Sequence, residues 1–141
     1  MLENTVNLQK KINRICDLRS EEFKIDYTRN YTIAGSVASM DIRMTKKTKV
    51  KWATLLVEDF WASIQVLAFE KVFSASAWLF DKNEYDQPIM ITCYLHNKSD
   101  DRHGKEGLQF IATEIKPLTV EQLKPELYTA MNLQSVQNQV K

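Results

Sequence analysis

Five positive charges fall within nine residues of this chain: Arg43, Lys46, Lys47, Lys49 and Lys51, with no acid among them. The 141 residues carry a net charge of +1, so these five leave the remainder at −4. The basicity is therefore local. Such a cluster can neutralise phosphates, and about five contacts on a single strand would give a salt slope near −3.5. It can equally be a solvated hairpin tip kept soluble by lysine. Trp52 follows directly. An indole beside a cationic loop can stack on one base, a contact worth about 1–3 kcal/mol.

Other sets of residues that could do chemistry are missing. His96 and His103 are the two histidines, with no cysteine or paired carboxylate at metal-ligand spacing. The sequence has no P-loop, GxGxxG or GxSxG, and three glycines cannot build a phosphate cradle. Glu58 and Asp59 are adjacent, so on a strand they point to opposite faces; a turn role fits them better than paired acid–base work. The chain alone is expected to be no enzyme and to need no metal or cofactor. Cys16 and Cys93 belong to no CxxC pair and read as two reduced thiols. No 18-residue apolar run is present, and the first six residues lack the pattern of a secretory signal. The expectation is a cytoplasmic protein with no membrane partner.

The elements that must position the basic run follow from periodicity. Leu8, Ile12, Ile15 and Leu18 recur at helical spacing, which predicts a helix within residues 1–25. Residues 31–44 read as a long strand whose buried parity switches: Ile33 and Val37 lie on one parity, Met40, Ile42 and Met44 on the other. Gly35 and Ser36 offer a place for the bulge this requires. Residues 52–59 form a second strand with Ala53, Leu55 and Val57 on one face. Glu58 to Ala62 makes the turn, and residues 63–69 form a third strand with Ile64, Val66 and Ala68 inward. Trp52, Thr54 and Leu56 then share the outer face with Gln65 and Leu67. That face is greasy enough that another segment or domain could cover it instead of a nucleic acid.

Alanine and serine replace β-branched residues from Glu70 to Phe80, predicting a short helix with Trp78 in the core. Residues 81–87 read as a polar loop. Pro88 opens a fourth strand over 89–96, and Leu108 to Ile115 makes a fifth, stopped by Pro117. Between them, residues 97–107 hold Lys98, Arg102 and Lys105 among nearly balancing acids. Thr119 and Gln122 look like a capping box opening a short helix that Pro125 interrupts.

Three strands, a short helix and two strands is the order of a five-stranded OB-fold barrel. The reading is mainly β: a helical segment at 1–25, a barrel domain at 26–118 and a helical or flexible tail at 119–141. In that fold the loops between strands one and two and between strands four and five are common contact elements. The nucleic-acid-binding candidates are thus Arg43, Lys46, Lys47, Lys49, Lys51, Trp52, Thr54, Gln65, Lys98, Arg102 and Lys105.

The run Thr45-Lys46-Lys47-Thr48-Lys49-Val50-Lys51-Trp52-Ala53-Thr54-Leu55-Leu56-Val57-Glu58-Asp59, then Ser63 to Phe69, resembles the OB domain of the bacterial replicative DNA polymerase III alpha subunit. Ile33-Ala34-Gly35-Ser36-Val37 matches the Ala-Gly-x-Val opening of that family. The likeness spans about residues 30–118, and anticodon-binding OB domains of aminoacyl-tRNA synthetases share parts of it. Thr48, Ala62 and Glu70 stand where the family often has Gly, Gly and Pro. The resemblance implies a piece of a polymerase without its catalytic aspartates, contacting single-stranded template DNA through Arg43, Lys46, Lys47 and Lys49. Other polymerase domains or replisome subunits would be its protein partners. Two further readings stay open: a protein-interaction module docking through Leu56 and Leu67, and an RNA-binding anticodon-type domain.

Overall fold

Strict alternation of inward apolar side chains makes residues 51–58 and 63–68 strands, and the turn between them is written by one carboxylate. Asp59 Oδ1 accepts hydrogen bonds from the backbone N–H of Trp61 and of Ala62, both at 2.8 Å. The expected turn role for Asp59 is what the structure shows. The computed structural model describes residues 12–80, 88–97 and 107–129. In chain order the elements are β1 (Ile12–Asn13), α1 (Ile15–Arg19), β2 (Asn30–Met44), β3 (Lys51–Glu58), β4 (Ser63–Ala68), α2 (Glu70–Ala75), α3 (Ala77–Phe80), β5 (Pro88–Asn97), β6 (Leu108–Pro117), a 3-10 turn (Pro125–Leu127) and β7 (Tyr128–Thr129).

Strands β2, β3, β4, β6 and β5 close into a barrel in that order. β4 and β6 pair parallel; the other pairings around the barrel are antiparallel. This is the expected five-stranded mainly β architecture. Ile33, Leu55, Val57, Val66, Ile91 and Phe110 are wholly buried inside it. Each such side chain contributes about 1.5–3 kcal/mol by leaving water.

β2 is long enough to serve both halves of the barrel. Asn30–Ser36 pairs with β5, and Ser36–Met44 pairs with β3. The bulge lies between Val37 and Ser39, a little beyond the expected Gly35–Ser36 position. Gly35 has a different task. A Cβ there would sit 2.2 Å from the Glu58 carbonyl oxygen, so the end of β3 can cross β2 only where no side chain exists. Beyond the bulge, Met40 packs on the core while Ile42 and Met44 are exposed, because this half of β2 runs out past the barrel.

The ends of the chain depart from the expected helix and tail. Within residues 12–25 only Ile15–Arg19 is α-helical, and Ile12–Asn13 is a strand that pairs parallel with Tyr128–Thr129. Ile15 and Leu18 plug one end of the barrel, so α1 does not cover the face of Leu56 and Leu67. The Thr119–Gln122 box does form: Thr119 N donates to Gln122 Oε1 (2.9 Å) and Gln122 N donates to Thr119 Oγ1 (3.1 Å). It closes a turn, with no α-helix after it, because Pro125 cannot extend one. Residues 118–129 return to the barrel, where Leu118, Leu123, Leu127 and Tyr128 pack with Ile12 over Ala34 and Met90. The first eleven residues of the expected N-terminal helix, the 81–87 loop and the tail beyond 129 lie outside the described residues.

Candidate nucleic-acid interface

The basic run sits at the tip of the β2–β3 hairpin, held by bonds among backbone groups and threonine hydroxyls. Thr45 N donates to Val50 O (2.9 Å), Lys49 N donates to Thr45 O (3.1 Å) and Val50 N donates to Thr45 Oγ1 (3.0 Å). The Thr45 and Thr48 hydroxyls share a further hydrogen bond. Two threonines thus fix the turn, and lysines fill the positions between and after them. Lys49 has φ of 58°, in the left-handed region that glycine adopts more easily. The glycine that the resemblance leads one to expect in this loop is absent, and the left-handed residue is Lys49 instead of Thr48. A charge is kept there at a backbone cost of about 1 kcal/mol.

Lys46, Lys47, Lys49 and Lys51 are exposed. Among the described residues none of the four has a carboxylate partner. Arg43 differs: its Nε lies 2.9 Å from Asp41 Oδ2, two residues earlier on the same face of β2. The acid just outside the 43–51 window thus offsets one of the five expected cations. Four ammonium groups without a carboxylate partner among the described residues remain, which lowers the expected single-strand salt slope to about −2.8.

Register carries the site from the loop onto the sheet. Arg43 pairs with Trp52, Asp41 with Thr54 and Ser39 with Leu56. Across β3, Thr54 pairs with Leu67 and Leu56 with Gln65. Trp52, Thr54 and Gln65 therefore share one outward face with Arg43, as alternation predicts. Trp52 is half-buried, because Phe69 leans on it with ring centroids 6.1 Å apart and planes tilted by 44°. Phe69 itself is 46% exposed.

Sequence reasoning missed Phe69 as a site residue. Its signal was available: it shares parity with Gln65 and Leu67, opposite the buried Val66 and Ala68. The outer face is thus an indole and a phenyl ring beside four exposed lysines, with Leu56 exposed further along β3. Lys98, Arg102 and Lys105 lie outside the described residues, as does His103; Asn97 and Leu108, which bound that connection, pair across β5 and β6. His96 is exposed.

A second cluster lies at the other end of β3. Asp59 Oδ2 accepts from Ile15 N at 2.8 Å, tying α1 to the β3–β4 turn. Arg14 bonds both carboxylate oxygens of Asp17 (2.9 and 3.1 Å) and lies 5.3 Å from the Trp61 ring centroid. Trp61, Phe60 and Tyr128 form a mutual edge-to-face set with centroids 5.1–5.8 Å apart. The Tyr128 hydroxyl donates to Ala34 O at 2.6 Å. Burial, and then the Asp59 charge, hold the Tyr128 phenol above its ordinary pKa of 10.0. No helix among the described residues is long and apolar enough to cross a membrane.

No protein-family model matches the chain. No curated protein matches it in sequence. Solved structures do match. The chain resembles a protein of the S. pombe Stn1-ten1 complex with a TM-score of 0.64 at 12% identity, over 92% of this chain and 94% of that one. It also resembles Rim1, a mitochondrial single-stranded DNA binding protein of S. cerevisiae, with a TM-score of 0.51 at 10% identity, over 67% of this chain and 98% of that one. A second crystal form of Rim1 gives the same values. At such identities the likeness is one of fold, and together with the strand order it makes this chain an OB-fold barrel.

Proposed function

We propose that this chain is a non-catalytic module that binds single-stranded DNA across the β2–β3 loop and the adjoining face of β3 and β4. One observation carries the reading: four lysines with no carboxylate partner among the described residues stand at and just after a hairpin tip beside the outward Trp52–Phe69 pair. Cations that follow a backbone and rings that stack on bases are the two components of single-strand binding. Lys46, Lys47, Lys49 and Lys51 hold phosphates, Trp52 and Phe69 stack bases, and Thr54 and Gln65 supply hydrogen bonds. Rim1, a single-stranded DNA binding protein, shares this fold.

The test is fluorescence anisotropy of a labelled single-stranded oligonucleotide at low salt, with the Lys46→Glu/Lys47→Glu/Lys49→Glu variant alongside. Saturable binding that weakens with salt and is lost in the variant is the expected result. Binding unchanged in the variant would remove the loop from the site. Competition by RNA of the same sequence decides whether the ligand is DNA; stronger competition by RNA would favour an anticodon-type role.

A second reading is favoured by the motif likeness to the polymerase III alpha OB domain and by the exposed Leu56. In it the chain is part of a C-family polymerase, and a neighbouring domain or replisome subunit seats on Leu56 and Leu67. Immunoblotting of source cells separates the two. A band several-fold larger than the 16.4 kDa of this chain would support the polymerase reading, and a band near that mass would oppose it. The two free thiols, Cys16 and Cys93, support a reducing compartment such as the cytoplasm, which cell fractionation would test.

A further inference from the structure

We propose that the Asp41–Arg43 pair gives the single-strand site a base preference, for guanine stacked on Trp52. The inference rests on the single-strand reading above and names what that site selects. Three observations carry it. First, register puts the pair beside the rings. Arg43 lies directly opposite Trp52, and Asp41 directly opposite Thr54. Opposite residues of an antiparallel pair share a face, with Cβ atoms about 4.5–5.5 Å apart. A base stacked on Trp52 and Phe69 can therefore turn one edge toward Arg43 and Asp41.

Second, the pair is open and its bonding is incomplete. The Arg43 and Asp41 side chains are 63% and 55% exposed. Arg43 Nε donates to Asp41 Oδ2, and among the described residues neither side chain has another partner. The two terminal nitrogens of the guanidinium keep their donors, and Asp41 Oδ1 keeps its lone pairs. The bond from Nε also holds the guanidinium fork beside the carboxylate. Third, a carboxylate is out of place on a face that binds phosphate. It offsets one of five cations, and an exposed ion pair adds little to a strand. Direct contact with a base gives it a use.

The pair offers two adjacent donors followed by an acceptor. In a single strand the base edges are bare, and they differ in whether they answer that order. Guanine presents N7 and O6 as acceptors and then N1–H as a donor. Cytosine presents O2 and N3 as acceptors and then its N4 amino group. Adenine (N7, N6 amino, N1) and thymine (O4, N3–H, O2) each put a donor between two acceptors, so one arm of the fork meets a like group. Guanine is preferred to cytosine because its two rings cover more of the indole. An arginine fork on O6 and N7 is also the commonest specific contact to a base.

Anisotropy titrations at low salt with four labelled oligothymidylates test this, one unsubstituted and the others carrying a central guanine, adenine or cytosine. The guanine strand is expected to bind at least about fivefold more tightly than the thymine and adenine strands, the lower bound for a bidentate base contact. Adenine, a purine of similar size, controls for stacking. Replacing the guanine with 7-deazaguanine removes the N7 acceptor and should abolish the gain. Arg43→Lys keeps the charge and loses the fork, so its guanine-to-thymine ratio should fall to about one. Asp41→Ala removes the acceptor for N1–H and releases Arg43 to phosphate. It should lower that ratio while steepening the salt slope on the thymine strand by about 0.7. Equal affinity for all four strands, a guanine gain that survives in Arg43→Lys, or stronger binding of the cytosine strand would each overturn the proposal and leave single-strand binding standing. No binding to any strand would instead remove the reading beneath it, and the proposal with it.

Discussion

The two ends of β3 carry opposite charges and opposite duties. At its start, Lys46, Lys47, Lys49 and Lys51 project from a hairpin tip whose bonds are local, between Thr45, Thr48, Lys49 and Val50. At its end, Glu58 crosses over Gly35, and the Asp59 carboxylate accepts three backbone N–H groups from two separate segments. The acidic end is a structural junction joining β2, β3, β4, α1 and, through Tyr128, the returning C-terminal segment. The basic end holds little besides itself. A charged group wrapped in hydrogen bonds is occupied by the fold; one with none is available to a partner.

The sharpest way to break that contrast is at the junction. Asp59→Ala removes three short bonds to a carboxylate and should destabilise the chain by about 3 kcal/mol in urea unfolding, with single-strand affinity unchanged where the variant is folded. Gly35→Ala should act in the same direction, since a Cβ 2.2 Å from a backbone oxygen forces β2 and β3 apart. A loss below about 1 kcal/mol for both would mean that the two ends are equally dispensable.

Next in size is Trp52→Ala at the basic end. Its expected effect is a loss of about 1–3 kcal/mol in single-strand affinity, read by anisotropy, with a small change in stability because the ring is only half-buried. An unchanged affinity would limit the site to the lysines.

Tyr128→Phe separates hydroxyl from ring at the junction and should cost about 1 kcal/mol through the lost bond to Ala34 O. The same residue gives a pH test. The folded phenol is held above 10.0, so the unfolded chain releases its proton first. Stability is untouched below that pH and falls as pH rises beyond it. Cys93, pushed by burial from 9.0 to about 12, contributes in the same direction over that window. Thermal melts at alkaline pH in a Cys93→Ala background should therefore show a shallower fall for Tyr128→Phe than for its parent.

The smallest effect belongs to Lys49→Gly. Relief of the left-handed backbone should stabilise the chain by about 1 kcal/mol. The lost contact should reduce the magnitude of the single-strand salt slope by about 0.7. A gain in stability together with a shallower slope would show that this lysine is kept for charge at the expense of fold.

Much of the barrel was legible because its strands bury one face. Ala53, Leu55 and Val57 alternate with Trp52, Thr54 and Leu56, and that period alone fixes which side each takes. The same parity places Phe69 outward, on the face of Gln65 and Leu67. The need for a bulge was legible but its position was not: it lies beyond Gly35 and Ser36, and the missing side chain of Gly35 serves the crossing by Glu58. The N-terminal pattern misled for a different reason: Ile12, Ile15 and Leu18 are all buried, but Ile12 is in a strand against β7 and the other two plug the barrel. A spacing of three or four residues records burial, and burial has several geometries.

Sequence by itself determined the order of strands and short helix along the chain and the cationic run at one hairpin, since both depend on alternation, turn residues and charge that are local in the chain. Tertiary structure decided which charges are free. Arg43 is offset by Asp41, Asp59 is consumed by N–H groups as distant as Ile15, and the C-terminal segment folds back so that Tyr128 bonds Ala34. Those partners lie up to 94 residues apart, and no periodicity carries information over such a distance; only closing the barrel brings them together.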